Sequence, residues 1–72
     1  MNHLRIVSPS ERAPEVLRVL EWSPSVVNVI HLPNAARSPK GDVILCDVAR
    51  EDTSVIVREL RRLGLEHGGS IA

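Results

Sequence analysis

Three histidines and two aspartates are the residues of this chain best suited to acid–base or metal chemistry. His3, His31 and His67 fall in three segments that read as strands, and Asp42 and Asp47 lie near them in sequence. On one shared sheet face they would form a metal or proton-transfer site, because imidazole titrates near neutrality and joins carboxylates as a ligand of first-row metals. No pair has a close ligand spacing, however. Scattered strand-edge histidines are the expectation, with no metal and no cofactor.

The stretch from Leu32 to Asp42 is more suggestive. It brings Asn34, Arg37 and Lys40 to a sheet end, where they could hold a carboxylate or a phosphate. Loops on a rigid scaffold often carry binding. The structural counterpart is a solvated hairpin loop in which Asn34 and Asp42 are turn residues. Cys46 sits in an apolar run and reads as a small buried hydrophobe. A reactive thiolate needs an electropositive, accessible setting, and the adjacent Asp47 has the wrong sign. No glycine-rich phosphate loop, Ser/His/Asp spacing or paired catalytic carboxylates emerge. No catalytic residue is assigned and the chain is expected not to be an enzyme.

Composition narrows the field further. The 72 residues carry nine Lys and Arg against nine Asp and Glu, so a general nucleic-acid grip is not expected. Arg58, Arg61 and Arg62 crowd one late segment, where they read as a solvated helix face offsetting the C-terminal dipole. Trp22 is the only aromatic residue, which argues against base stacking. With one cysteine, neither an internal disulfide nor a multi-thiolate zinc site can form. A domain this small buries only about 60% of its unfolded surface, so oligomerisation or attachment to a larger body is the remaining source of stability. No apolar stretch approaches the roughly 20 residues of a membrane helix, and no signal peptide is expected.

The elements that position these residues follow from periodicity. His3 to Val7 alternates as a strand. Ser8-Pro9-Ser10 breaks it, and Ser10 with Glu11 supplies a helix start. Ala13, Val16, Leu17 and Leu20 form a buried stripe, with Pro14 tolerated only near the first turn. Trp22-Ser23-Pro24 closes that helix. Val26 to Leu32 is a β-branched strand, residues 33–40 an eight-residue loop and Gly41 to Val48 a second strand. Glu51 and Asp52 open a second helix whose stripe is Ile56, Leu60 and Leu63. Gly64 suits its C′ position, with Leu65 free to contact Leu60. Residues 65–72 are expected as a weak strand interrupted by Gly68-Gly69.

This order is the split βαβ motif of a ferredoxin-like βαββαβ sandwich: a single α+β domain over 1–72, with a four-stranded antiparallel sheet and two helices on one face. A sheet covered on one side should alternate. The middle strands do not: Val26, Val27, Val29, Ile30 and Leu32, then Val43, Ile44, Leu45, Cys46 and Val48, occupy both parities. Exposed apolar surface of that kind usually marks a contact site, unless long neighbours such as Arg5 and His31 shield it. Asn28, Ile30 and Leu32 are the candidate interface residues. Other users of this architecture fit poorly. Ser8-Pro9-Ser10 replaces the paired-cysteine loop of copper carriers, and Arg12 lacks the glycine-rich context of an acylphosphatase cradle.

The run Gly41-Asp42-Val43-Ile44-Leu45-Cys46-Asp47-Val48-Ala49-Arg50-Glu51, the upstream Val26-Val27-Asn28-Val29 and Leu32-Pro33-Asn34-Ala35-Ala36-Arg37, and the closing Gly69-Ser70-Ile71-Ala72 resemble the amino-terminal region of domain-of-unknown-function family 389, actinobacterial type. In that bacterial family such a segment precedes several membrane-spanning helices. The resemblance implies a soluble head domain on the cytoplasmic face of a membrane protein and transfers no catalytic residue. The expected function is a non-enzymatic regulatory or assembly domain, acting through self-association of its sheet face or by docking on a membrane-embedded partner. The alternatives are a small-molecule or anion sensor using the 33–42 loop and, more remotely, an acylphosphatase-like hydrolase.

Overall fold

The computed structural model describes residues 1–65 and 69–72. The chain is α+β, in the order β1 (Asn2–Ser8), α1 (Ala13–Trp22), β2 (Val26–Arg37), β3 (Lys40–Val48), α2 (Thr53–Arg62) and β4 (Ser70–Ile71). Three long antiparallel strands run β2-β3-β1, and β4 adds a two-residue pairing on the far side of β1. Arg5 and Ala72 exchange backbone hydrogen bonds of 2.7 and 2.9 Å next to that pairing. Of the strand expected over 65–72, pairing holds only at Ser70–Ile71; Leu65 is a buried core residue ahead of it. Residues 66–68, including His67, lie outside the described residues.

Both helices cover the same sheet face. Leu4 and Ile6 of β1, Val26 of β2 and Ile44, Cys46 and Val48 of β3 form one buried cluster with Ala13, Val16 and Leu20 of α1 and Ile56 and Leu60 of α2. Alternate strand positions and i, i+3, i+4 helix positions generate that cluster. Both helices are entered through a 3-10 turn, Ser10–Arg12 and Arg50–Asp52. Pro14 stands in the first turn of α1, where its missing N–H costs nothing. The capping role expected of Ser10 is not realised; its hydroxyl turns to β3 instead. Gly64 closes α2 at φ +78°, and Leu65 is buried in the same cluster as Leu60.

The largest departure from the sequence reading is the β2–β3 connection. The segment expected as a loop over 33–40 continues β2 as far as Arg37, and the turn is only Ser38-Pro39, joined by a cis bond. Prolines and asparagines look like breakers in one dimension. Here β2 is an edge strand, so a residue without an N–H leaves no second ladder unpaired. Asn28 and Asn34, both at φ 57°, sit in two irregularities of the ladder, between Val27 and Ile30 and between Leu32 and Ala36. Asparagine tolerates that left-handed backbone better than most residues, and such bulges bend an edge strand.

Candidate functional site

The bulge at Asn28 decides what each face of the sheet presents. Because Asn28 and Val29 together oppose one residue of β3, Val27 pairs with Asp47 and Ile30 with Leu45, while Leu32 pairs with Val43. Val27, Ile30 and Leu32 therefore share the side opposite the helices with Val43, Leu45 and Asp47. They are 41%, 49% and 42% exposed. Val7, opposite Val43 on the same side, is buried at 9% exposure.

The open face has a polar end. Asn28 Nδ2 donates to Asp47 Oδ2 at 2.8 Å, and His3 Nδ1 meets the other carboxylate oxygen. The Asn28 and His3 hydrogen bonds together hold Asp47 below the usual carboxylate range. A shallow depression of about 430 Å³ opens beside this cluster, with Arg5 on its wall and Ile30 and Leu45 at its apolar side. The candidate interface residues Asn28, Ile30 and Leu32 thus stand on one surface.

On the helix side of the same sheet, Asp42 is a buried hub with 4% exposure. Ser10 Oγ donates to Oδ1 at 2.6 Å, the Asn34 backbone N–H donates to the same oxygen at 3.0 Å, and His31 Nε2 lies 2.7 Å from Oδ2. The Ser10 hydroxyl contributes most, then the Asn34 N–H and His31, and together they lower the Asp42 pKa to about 2 against a burial effect that opposes them. An ionised carboxylate only accepts, so His31 Nε2 is the donor.

Serine, aspartate and histidine meet here in the wrong order for nucleophilic catalysis. In an activated serine the imidazole stands between hydroxyl and carboxylate and takes the proton. Here the carboxylate stands between, and at a pKa of about 2 it is too weak a base to deprotonate Ser10. The cluster pins the start of the α1 segment to β3 and holds the Asn34 bulge.

His3 and His31 therefore serve opposite faces of the sheet, each against its own aspartate. No group of three His, Cys, Asp or Glu side chains suited to a metal ion occurs among the described residues. His31 does not shield the open face, because it points to Asp42 on the other side. Asn34 and Lys40 line a depression of about 240 Å³ with Pro9, Ser10 and Glu11, while Arg37 stands opposite Lys40 across the turn. Cys46 is buried, and burial, with help from Asp47, pushes its thiol up. Arg12 donates to the carbonyl of Leu63 at the end of α2, so its guanidinium caps a helix. Sequence reasoning missed the Asp42 hub, since only the strand register brings Ser10, His31 and Asn34 to one carboxylate.

No helix among the described residues is long and apolar enough to cross a membrane. No protein family, curated protein or solved structure matches the chain.

Proposed function

We propose that this chain is a non-enzymatic assembly or regulatory domain of ferredoxin-like design, and that it works by pairing its open sheet face with that of a second copy. The observation that carries this reading is the apolar set Val27, Ile30 and Leu32, each more than two-fifths exposed on one face. Isolated apolar side chains on a surface are ordinary, but a contiguous patch marks a contact.

The sheet edges direct association to the face. Edge β2 is broken by bulges at Asn28 and Asn34 and by Pro33, and edge β4 is two residues long. Both are devices that discourage strand-to-strand addition. The face has the His3–Asp47–Asn28 cluster at one end and Ile30, Leu32 and Val43 at the other. A twofold pairing would bury the apolar part and leave the polar end at a solvated rim. The family resemblance adds a membrane-embedded body as the competing partner for the same surface. Amide-shift mapping by NMR between 20 µM and about 1 mM should move Val27, Ile30, Leu32, Val43 and Leu45 together. Shifts spread evenly over the chain, or none, would refute the pairing.

A second reading rests on the hairpin tip. Arg37 and Lys40 are direct cross-strand partners, and like charges in that position repel. A bound carboxylate or phosphate would relieve them, with Asn34 close by. Titration of the protein with inorganic phosphate, followed on the Lys40 and Asn34 amides, tests this site independently of the sheet face.

A further inference from the structure

A second apolar feature lies on the far side of the molecule. Between α1 and α2 runs an open groove of about 570 Å³. Its walls are chiefly apolar, including Val19, Trp22, Pro24 and Val55, and Arg18 and Glu59 add opposite charges. Trp22, the only aromatic residue of the chain, is 87% exposed at its margin, and Val55 is 50% exposed. A solvated indole next to an apolar hollow is a protrusion and a recess on one surface, which is what a twofold contact requires.

We infer that this groove is a second self-association surface, in which Trp22 of one copy enters the groove of another and Arg18 of each copy faces Glu59 of its mate. The charges select a second copy as occupant. One cation and one anion on the same surface become two favourable pairs under a twofold rotation. A uniformly basic or acidic partner would meet repulsion on one side. Among the described residues Glu59 makes an exposed pairing with Arg62 at 3.4 Å, and such pairs are weak. This surface stands apart from the sheet face. With both in use, the domain forms a closed tetramer or an open stack, where either alone gives a dimer.

The test uses the full chain carrying Ile30→Glu, so that sheet-face pairing is removed while the groove is intact. Emission of the single tryptophan is followed from about 1 µM to 1 mM, with acrylamide quenching and far-UV circular dichroism alongside. The expected result is a blue shift and loss of quenching as concentration rises. Arg18→Glu and Glu59→Arg, each alone, should weaken the transition by about tenfold or more, whereas an equimolar mixture of the two should restore it, because opposite charges then meet at both contacts. Emission fixed at the exposed position throughout overturns the inference, as does a mixture no tighter than its components. A shift seen only on adding phosphatidylserine vesicles would assign the groove to a membrane surface and overturn it as well. Failure here leaves the sheet-face reading untouched, since that pairing is read on the unmodified chain.

Discussion

Asp42→Asn isolates the charge of the buried hub while keeping its shape. The amide retains one acceptor oxygen for the Ser10 hydroxyl and the Asn34 N–H, but it presents an NH2 to His31 Nε2 where the carboxylate accepted. The carboxylate is depressed from an ordinary 3.8 to about 2, chiefly by the Ser10 hydroxyl. At about 1.4 kcal/mol per pKa unit this corresponds to about 2 kcal/mol of stability. Because the folded value lies below the unfolded one, that contribution is complete above about pH 4 and fades as pH falls towards 2. Urea unfolding followed by circular dichroism should therefore show the variant about 2 kcal/mol less stable than the parent at pH 6, with the gap narrowing as pH drops to about 2. A gap of equal size at both pH values would mean the charge is not what the hub uses. A gap below about 0.5 kcal/mol at pH 6 would mean that the negative charge of Asp42 contributes little to the hub.

Other substitutions probe the remaining elements. A Cβ on Gly41 would stand 2.2 Å from the Ser8 carbonyl oxygen, so Gly41→Ala must part β1 from β3. A loss of about 3 kcal/mol, or a fall in Tm of roughly 10–20 °C in a scanning calorimeter, is expected. Leu60→Ala, at a fully buried core position, should cost about 3 kcal/mol in urea, whereas Trp22→Ala should change monomer stability by less than about 0.5 kcal/mol. Cys46 should resist a thiol reagent such as DTNB at pH 8 until the chain unfolds, since burial both hides it and pushes its pKa up. Rapid labelling of the folded protein would contradict that burial.

Much of the architecture could be read from periodicity. The stripe through Val16 and Leu20, the stripe through Ile56 and Leu60, and the left-handed Gly64 stand where local rules put them. The β2–β3 hairpin was not legible, because Pro33, Asn34 and Pro39 are breakers by local preference. Only a strand's place at the sheet edge makes such residues acceptable within it. The same irregularity hid the polar contacts. Strict alternation from Val26 puts His31 on the face opposite Val26. The extra residue at Asn28 moves it to the helix side beside Asp42, and brings Ile30 to the face with Val27. Ser10 showed the composition of a helix cap, and nothing in the sequence marked a carboxylate across the sheet as a better partner for its hydroxyl. Residues that meet only through tertiary register leave no local signature.

The central claim concerns the open sheet face, and sedimentation equilibrium on the unmodified chain, on Arg18→Glu and on Arg18→Glu with Ile30→Glu tests it most directly. The unmodified chain should fit a reversible association at concentrations between about 10 µM and 1 mM. Introduced into Arg18→Glu, where the groove contact is already disabled, Ile30→Glu, which buries a charge in the apolar part of the pairing, should weaken the remaining association by at least about tenfold while leaving the circular dichroism spectrum unchanged. A strict monomer at 1 mM, or association of Arg18→Glu that Ile30→Glu leaves unaltered, would contradict the account.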